Sequence, residues 1–234
     1  MSYDLAVQTL FPDRCEAGRC LVEPLTRFAG RSDVIVLALP RGGVPVAYEV
    51  ATALGVRLDL LVVRKLGMPS HPEFAMGAIA GDGVMFLNDD MLQAYPVDPA
   101  LFKAVILRET EELERRERAY RGGRAPLDLK DQVVILIDDG LATGSTMRAA
   151  ILAVRARSPA WVVVAIPVAP PETLDVMHRE VDELVCPLVP ERMISVGYWY
   201  QEFPQTSDEE VMVLMRQADA RVLSQDTSQE RRHD

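Results

Sequence analysis

Two adjacent carboxylates, Asp138 and Asp139, stand between the apolar run Val133–Ile137 and the turn Gly140-Leu141-Ala142-Thr143-Gly144-Ser145-Thr146. A helical pattern begins directly after that turn. In open α/β sheets ligands bind at the carboxyl ends of the strands, which is where this order of strand, acids, turn and helix puts them. A turn entering a helix leaves backbone N–H groups unpaired, and the helix dipole adds positive potential, so a phosphate is favoured there. Thr143, Ser145 and Thr146 add hydroxyl donors, and Gly144 lets the backbone approach closely. The acids would repel the phosphate itself. They fit as acceptors for vicinal sugar hydroxyls, or as outer-sphere partners of hydrated Mg²⁺. The segment asks for the chemistry of a ribose phosphate. The plainer alternative is an acidic turn closing a buried strand ahead of a capped helix, but the full ordered segment is uncommon.

Other residues carry weaker signals. Pro40-Arg41-Gly42-Gly43 follows the apolar run Val34–Leu39 and precedes a helical pattern. Gly42 and Gly43 would expose N–H donors there, and Arg41 supplies a fork for phosphate oxygens; the same residues also suit an ordinary turn. The run Leu58–Val63 ends in the basic pair Arg64-Lys65, whose plain alternative is a solvated strand end. Tyr198 and Trp199 either stack on a heterocycle or pin the C-terminal helix to the body. His71 sits in a turn-rich loop or simply on the surface, and Arg14, Arg19 and Arg27 have no assignable role. Cys15, Cys20 and Cys186 lack metal-ligand spacing and are expected as buried free thiols.

These residues need a scaffold. Short β-branched runs alternate with helical patterns, which predicts an α/β fold with a mostly parallel central sheet flanked by helices. The expected core strands are Val34–Leu39, Leu58–Val63, Val133–Ile137, Trp161–Ile166 and Glu183–Cys186, apolar enough to be covered on both faces. The expected helices are Cys15–Phe28, Val44–Leu54, Ser145–Ala156, Pro171–Met177 and Ser207–Leu223. Residues 67–130 interrupt the alternation. They predict a hairpin of Ala75–Ala80 and Val84–Leu87, then a charged helix over Pro99–Tyr120 stopped by Gly122-Gly123, with its charges forming a solvated face. Residues 1–223 read as a single domain and 224–234 as a disordered tail.

The chain of 234 residues carries a formal charge of −10, which argues against a broad nucleic-acid or anionic-membrane surface but allows a small basic pocket. No apolar run approaches the roughly 18 residues of a membrane span, and the first residues lack a secretion signal, so the cytoplasm is the expected compartment.

The segment Val133–Thr146 resembles the phosphoribosyl-pyrophosphate signature of type I phosphoribosyltransferases. The resemblance implies that Asp138 and Asp139 take the ribose 2′- and 3′-hydroxyls and that Ala142–Thr146 wraps the 5′-phosphate. It also implies that Arg41, Gly42 and Gly43 hold pyrophosphate, and that Arg64 and Lys65 stand at the mouth of a mobile flap as catalytic cations. Residues 67–130 would then be an elaborated flap insertion. Residues 187–223 would form a small hood and C-terminal helix, with Tyr198 and Trp199 at the acceptor. The implied activity is a Mg²⁺-dependent pentosyl transfer from 5-phosphoribosyl-1-pyrophosphate to a nitrogen acceptor such as a nucleobase. Mg²⁺ would arrive with the donor, without direct protein ligands. The alternative is a non-catalytic sensor of the same donor. The partners implied are the donor, a small heterocyclic acceptor and, as an assembly, a homodimer. Ala142 stands where enzymes acting on 6-oxopurines carry an acid, and Gln201 where purine-salvage enzymes tend to carry an aspartate. The first departure makes the signature look more like the adenine or orotate type, or a regulator, than the hypoxanthine-guanine type.

Overall fold

A computed structural model describes residues 10–72, 74–121 and 128–230. Five parallel strands form the main sheet: β1 (Val34–Ala38), β2 (Arg57–Leu60), β6 (Val133–Ile137), β7 (Trp161–Ala165) and β8 (Glu183–Val185), in the order β2-β1-β6-β7-β8. Every residue of β1 and β6 is buried, because alternate side chains feed two different cores. Val34, Val36, Ala38, Val133, Ile135 and Ile137 face one core, with α1 (Arg14–Leu25), α2 (Gly43–Leu54) and α7 (Asp208–Glu230). Ile35, Leu37, Val134 and Leu136 face the other, with α5 (Ser145–Arg155) and α6 (Pro171–Met177). A parallel sheet covered on both faces is the reason for the continuous apolar runs.

The expected strand Leu58–Val63 is in fact two. β2 ends at Leu60, and β3 (Val63–Gly67) belongs to a separate antiparallel sheet in the order β3-β4-β5. Residues 58–62 are buried straight across the junction, so hydrophobicity does not mark the break between the two strands. The hairpin of β4 (Ala75–Ala80) and β5 (Met85–Leu87) lies where it was predicted, and β3 pairs along its other edge. Two helices follow: α3 (Asp89–Ala94), capped by the Asn88 side chain accepting from the Met91 amide, and α4 (Pro99–Arg121). The small sheet is packed between α4 and α5 through Leu66, Met76 and Ile79 on the α4 side, so in its described residues the insertion is a folded layer.

The outer face of α4 carries the expected one-turn pairs, Glu112 with Arg115 and Arg116 and Glu114 with Arg118. Glu109 is the exception: its side chain is only 9% exposed and holds Arg64 from β3. The stop at Gly122-Gly123 lies outside the described residues. α7 continues to Glu230, so residues 224–230, expected to be disordered, are helical; no glycine or proline interrupts them, and extending a helix costs far less than starting one. Residues 231–234 lie outside the described residues. The three thiols are free, but Cys20 is exposed, turned away from the face of α1 that buries Ala17 and Leu21.

Candidate functional site

β1 and β6 are neighbours in register, Ala38 opposite Ile137, so the segments after them leave the sheet side by side. The Pro40–Gly43 turn and the acid pair are therefore in contact. The position of a Cβ on Gly42 would fall 2.0 Å from Asp139 Oδ2, and one on Gly43 would fall 2.7 Å from the Ile137 carbonyl oxygen. Any larger residue at either place would push the two segments apart. The Gly43 amide closes its own turn by donating to the Leu39 carbonyl (3.1 Å), leaving Gly42 as the amide of the two that is open to a ligand.

The turn Ala142–Thr146 is held from below. The Leu141 amide donates to the Val168 carbonyl, and Thr173 Oγ1 donates to the Ala142 carbonyl at 2.7 Å. Gly144 takes a left-handed conformation, φ +69°, with the methyl of Met177 and Thr173 filling the space where a side chain would go. Among the described residues, none accepts a hydrogen bond from the amides of residues 142–146. A run of unpaired N–H groups opening an α-helix is an anion-binding arrangement. Thr143 Oγ1 and Ser145 Oγ lie 3.2 Å apart at its rim. There the turn borders a cavity of about 340 Å³, lined also by Gly77, Ala78 and Met91.

The acids are not equivalent. Arg14, which sequence reasoning left without a role, donates from Nε to Asp139 Oδ2 at 2.8 Å and from a terminal nitrogen to the Pro204 carbonyl at 2.7 Å. Its guanidinium also stacks 3.7 Å from the centre of the Phe203 ring. Tyr200 donates its hydroxyl to the Asp139 carbonyl. Burial raises the pKa of both acids. The Asp139 charge raises Asp138 further, whereas Arg14 opposes the rise at Asp139. Burial and the nearby Asp139 charge push the Tyr200 phenol upward too, keeping it a donor. Asp139 Oδ2 is thus occupied by a cation, whereas Asp138 accepts on Oδ1 from the Asp139 amide (2.9 Å) and forms no ion pair among the described residues. No local signal in sequence marks Arg14, because its partner lies 125 residues away.

The remaining expected site residues divide. Arg41 remains on the turn and reaches Asp208 at the start of α7 (3.4 Å). Arg64 is engaged by another part of the chain. It lies within β3, bonded to Glu109 at 2.9 Å, because the strand expected to end at Val63 has already turned into the second sheet. Strand alternation turns Lys65 to the opposite face, the one α5 covers. Trp199 is 3% exposed in a cluster with Phe11, Ala17 and Tyr200, so it pins the hood to the body and has no free face for a base. Tyr198, 46% exposed, is the hood aromatic still open to a ligand. His71 is exposed and edge-on to Phe74. Arg19 pairs with Glu49, and Arg27 with Glu183.

The sequence pattern of the phosphoribosyl transferase domain matches residues 19–200, most of the chain. The chain belongs to that family. Two Mycobacterium tuberculosis proteins, from strains CDC 1551 and H37Rv and both named provisionally as phosphoribosyl transferases, are 44% identical to it over 209 residues. The match covers 89% of this chain but 47% of each of theirs, so the chain spans about half the length of these curated relatives. The crystal structure of TT1426 from Thermus thermophilus superposes with a TM-score of 0.78 at 39% identity, covering 88% of this chain and 97% of that one. The mostly parallel sheet flanked by helices is the architecture of this phosphoribosyl transferase domain. Among the described residues, no helix is long and apolar enough to cross a membrane.

Proposed function

We propose that the protein transfers the phosphoribosyl group of 5-phosphoribosyl-1-pyrophosphate to a nitrogen acceptor, with loss of pyrophosphate. The observation that carries this reading is the set of open amides at residues 142–146, side by side with an acid pair that touches the Gly42–Gly43 turn. Three adjacent features then match three parts of one ligand. The amide turn suits a 5′-phosphate, Asp138 suits ribose hydroxyls, and Arg41 with the Gly42 amide suits pyrophosphate.

The acids have the oxygen chemistry for the outer sphere of a hydrated Mg²⁺, through Asp138 and the second oxygen of Asp139, and family membership supports that ion as the donor's companion. When bound it would neutralise part of the pyrophosphate charge. The chain's own residues bind and orient. Transfer breaks the bond from C1 to the pyrophosphate oxygen and forms one from C1 to the acceptor nitrogen, which gives up a proton to water. No protein nucleophile is required, and positioning with charge stabilisation supplies the catalysis. Tyr198 is the residue we assign to the acceptor side.

A second reading, a donor-binding sensor without transfer, is favoured by one observation: the Arg64 guanidinium, expected at the reacting centre, is bound to Glu109. One experiment separates the two. The full chain is incubated with Mg²⁺, donor and a panel of nucleobases and related heterocycles, and nucleotide is sought by mass spectrometry alongside a thermal scan. Nucleotide formation supports transfer, and a donor-induced rise in Tm without product supports the sensor. No shift with donor or ribose 5-phosphate at millimolar concentration would sink both.

A further inference from the structure

Arg41 is the cation on the turn assigned to pyrophosphate, and its partner comes from a distant part of the chain. Its terminal nitrogen lies 3.4 Å from Asp208 Oδ1, at the outer limit of a hydrogen bond. The same oxygen accepts a hydrogen bond of 2.6 Å from the Tyr120 hydroxyl, in the last turn of α4. Asp208 opens α7, where the helix dipole favours a negative charge and the Ser207 hydroxyl accepts from the Glu210 amide. The carboxylate is therefore held by the Tyr120 hydroxyl and favoured by its place at the start of the helix. Tyr120 is 6% exposed, and burial followed by the bond to Asp208 pushes its hydroxyl up to about 12, so it remains a donor under working conditions. Arg115 also faces Asp208, but its guanidinium is held by Glu112 at 2.7 Å. Of the groups around Asp208, Arg41 has the long, weak contact and is the one that can leave.

Three segments thus meet at one oxygen, contributed by residues 41, 120 and 208. A surface ion pair formed only for stability needs no such arrangement and contributes little. Here the cation belongs to the turn beside the acid pair, and the anion is held in place by a buried tyrosine. An anion at Gly42 would compete with Asp208 for the Arg41 guanidinium, and Asp208 is positioned to receive it again when the anion departs.

Resting on the assignment of the Pro40–Gly43 turn to pyrophosphate, we propose that Asp208, held by Tyr120, is a positioning residue that competes for Arg41 and so weakens the turn's grip on pyrophosphate. Its contribution to a transferase is product release. A group bound too tightly after transfer slows turnover, and release limits many enzymes.

The test is calorimetric titration of the full chain with magnesium pyrophosphate and, separately, with ribose 5-phosphate, for the wild type, Asp208→Asn, Asp208→Glu, Arg41→Met and Arg41→Met/Asp208→Asn. Loss of the competing charge in Asp208→Asn is expected to tighten pyrophosphate binding about 5-fold, the worth of an exposed ion pair, with ribose 5-phosphate unchanged. Asp208→Glu should restore the wild-type value. In the Arg41→Met background the same Asn substitution should have no effect, because Asp208 acts through Arg41. A thermal scan of each variant separates these outcomes from a loss of folding. Unchanged or weaker pyrophosphate binding in Asp208→Asn overturns the proposal, as does a full effect in the absence of Arg41. If the wild type binds ribose 5-phosphate but not pyrophosphate, the assignment of the turn fails and the proposal with it.

Discussion

Replacing Arg14 by Ala should damage this protein more than the loss of any exposed arginine. The Arg14 side chain is 10% exposed and that of Asp139 is 14% exposed, so the pair is largely withdrawn from water. Removing one partner of a buried ion pair leaves the other charge without compensation, which costs about 3–5 kcal/mol. The bond to the Pro204 carbonyl and the stacking on Phe203 are lost in the same step. For a chain of this size each kcal/mol lowers Tm by about 2–4 °C, giving an expected fall of roughly 6–20 °C. The fall should depend on pH. Burial already raises Asp139 in the wild type and Arg14 opposes the rise, so without the guanidinium its folded pKa climbs further above the unfolded value of about 3.9. Stability of the variant must then decline, relative to the wild type, as pH rises from the wild-type folded value of Asp139 through the higher value in the variant. Thermal scans at about pH 5 and about pH 8 should show the smaller loss at the lower pH. The double variant Arg14→Ala/Asp139→Asn removes the stranded charge and should recover a large part of the loss. A fall within about 2 °C at both pH values, or no recovery in the double variant, would refute the pairing as the reason for the position of Arg14.

Asp138→Asn should stabilise the fold at neutral pH while weakening ribose 5-phosphate about 10-fold or more, because burial and the Asp139 charge raise the carboxyl that it replaces. The stabilisation should vanish toward about pH 3, below the unfolded value, where Asp138 is protonated in both states, and equal ribose 5-phosphate affinity in the two proteins would reduce the acid to a turn residue. Gly144→Ala should cost about 1–2 kcal/mol from the left-handed backbone alone. Its methyl also has no room beside Met177 and Thr173, so ribose 5-phosphate binding should fall with Tm; retained affinity would disconnect this turn from the phosphate. Arg64→Met should lower stability by about 1.5–3 kcal/mol through the lost bonds to Glu109, with donor affinity little changed. A fall in turnover of about 10²–10³ at unchanged Tm would instead return Arg64 to the reacting centre.

The backbone plan of this protein is written locally. Val133–Ile137 is apolar at every position because both faces of its strand are covered, and the turn after it declares itself through Gly144 and its hydroxyl neighbours. Such features need only consecutive residues, so the alternating fold, the hairpin at Ala75–Leu87 and the order of acids and turn in the candidate site were legible in the sequence alone. What escaped depends on partners far along the chain. The break between Leu60 and Val63 changes sheets without changing hydrophobicity, and it sets Arg64 in the second sheet, against Glu109. Trp199 was equally suited to a base or to the core; packing against Phe11 and Ala17 placed it inside. Arg14 looked like any surface arginine until folding set it over Phe203 and against Asp139, across 125 residues. Periodicity states which face of an element is apolar. Only the tertiary structure decides which charges meet, because a long side chain finds its partner after the layers have packed.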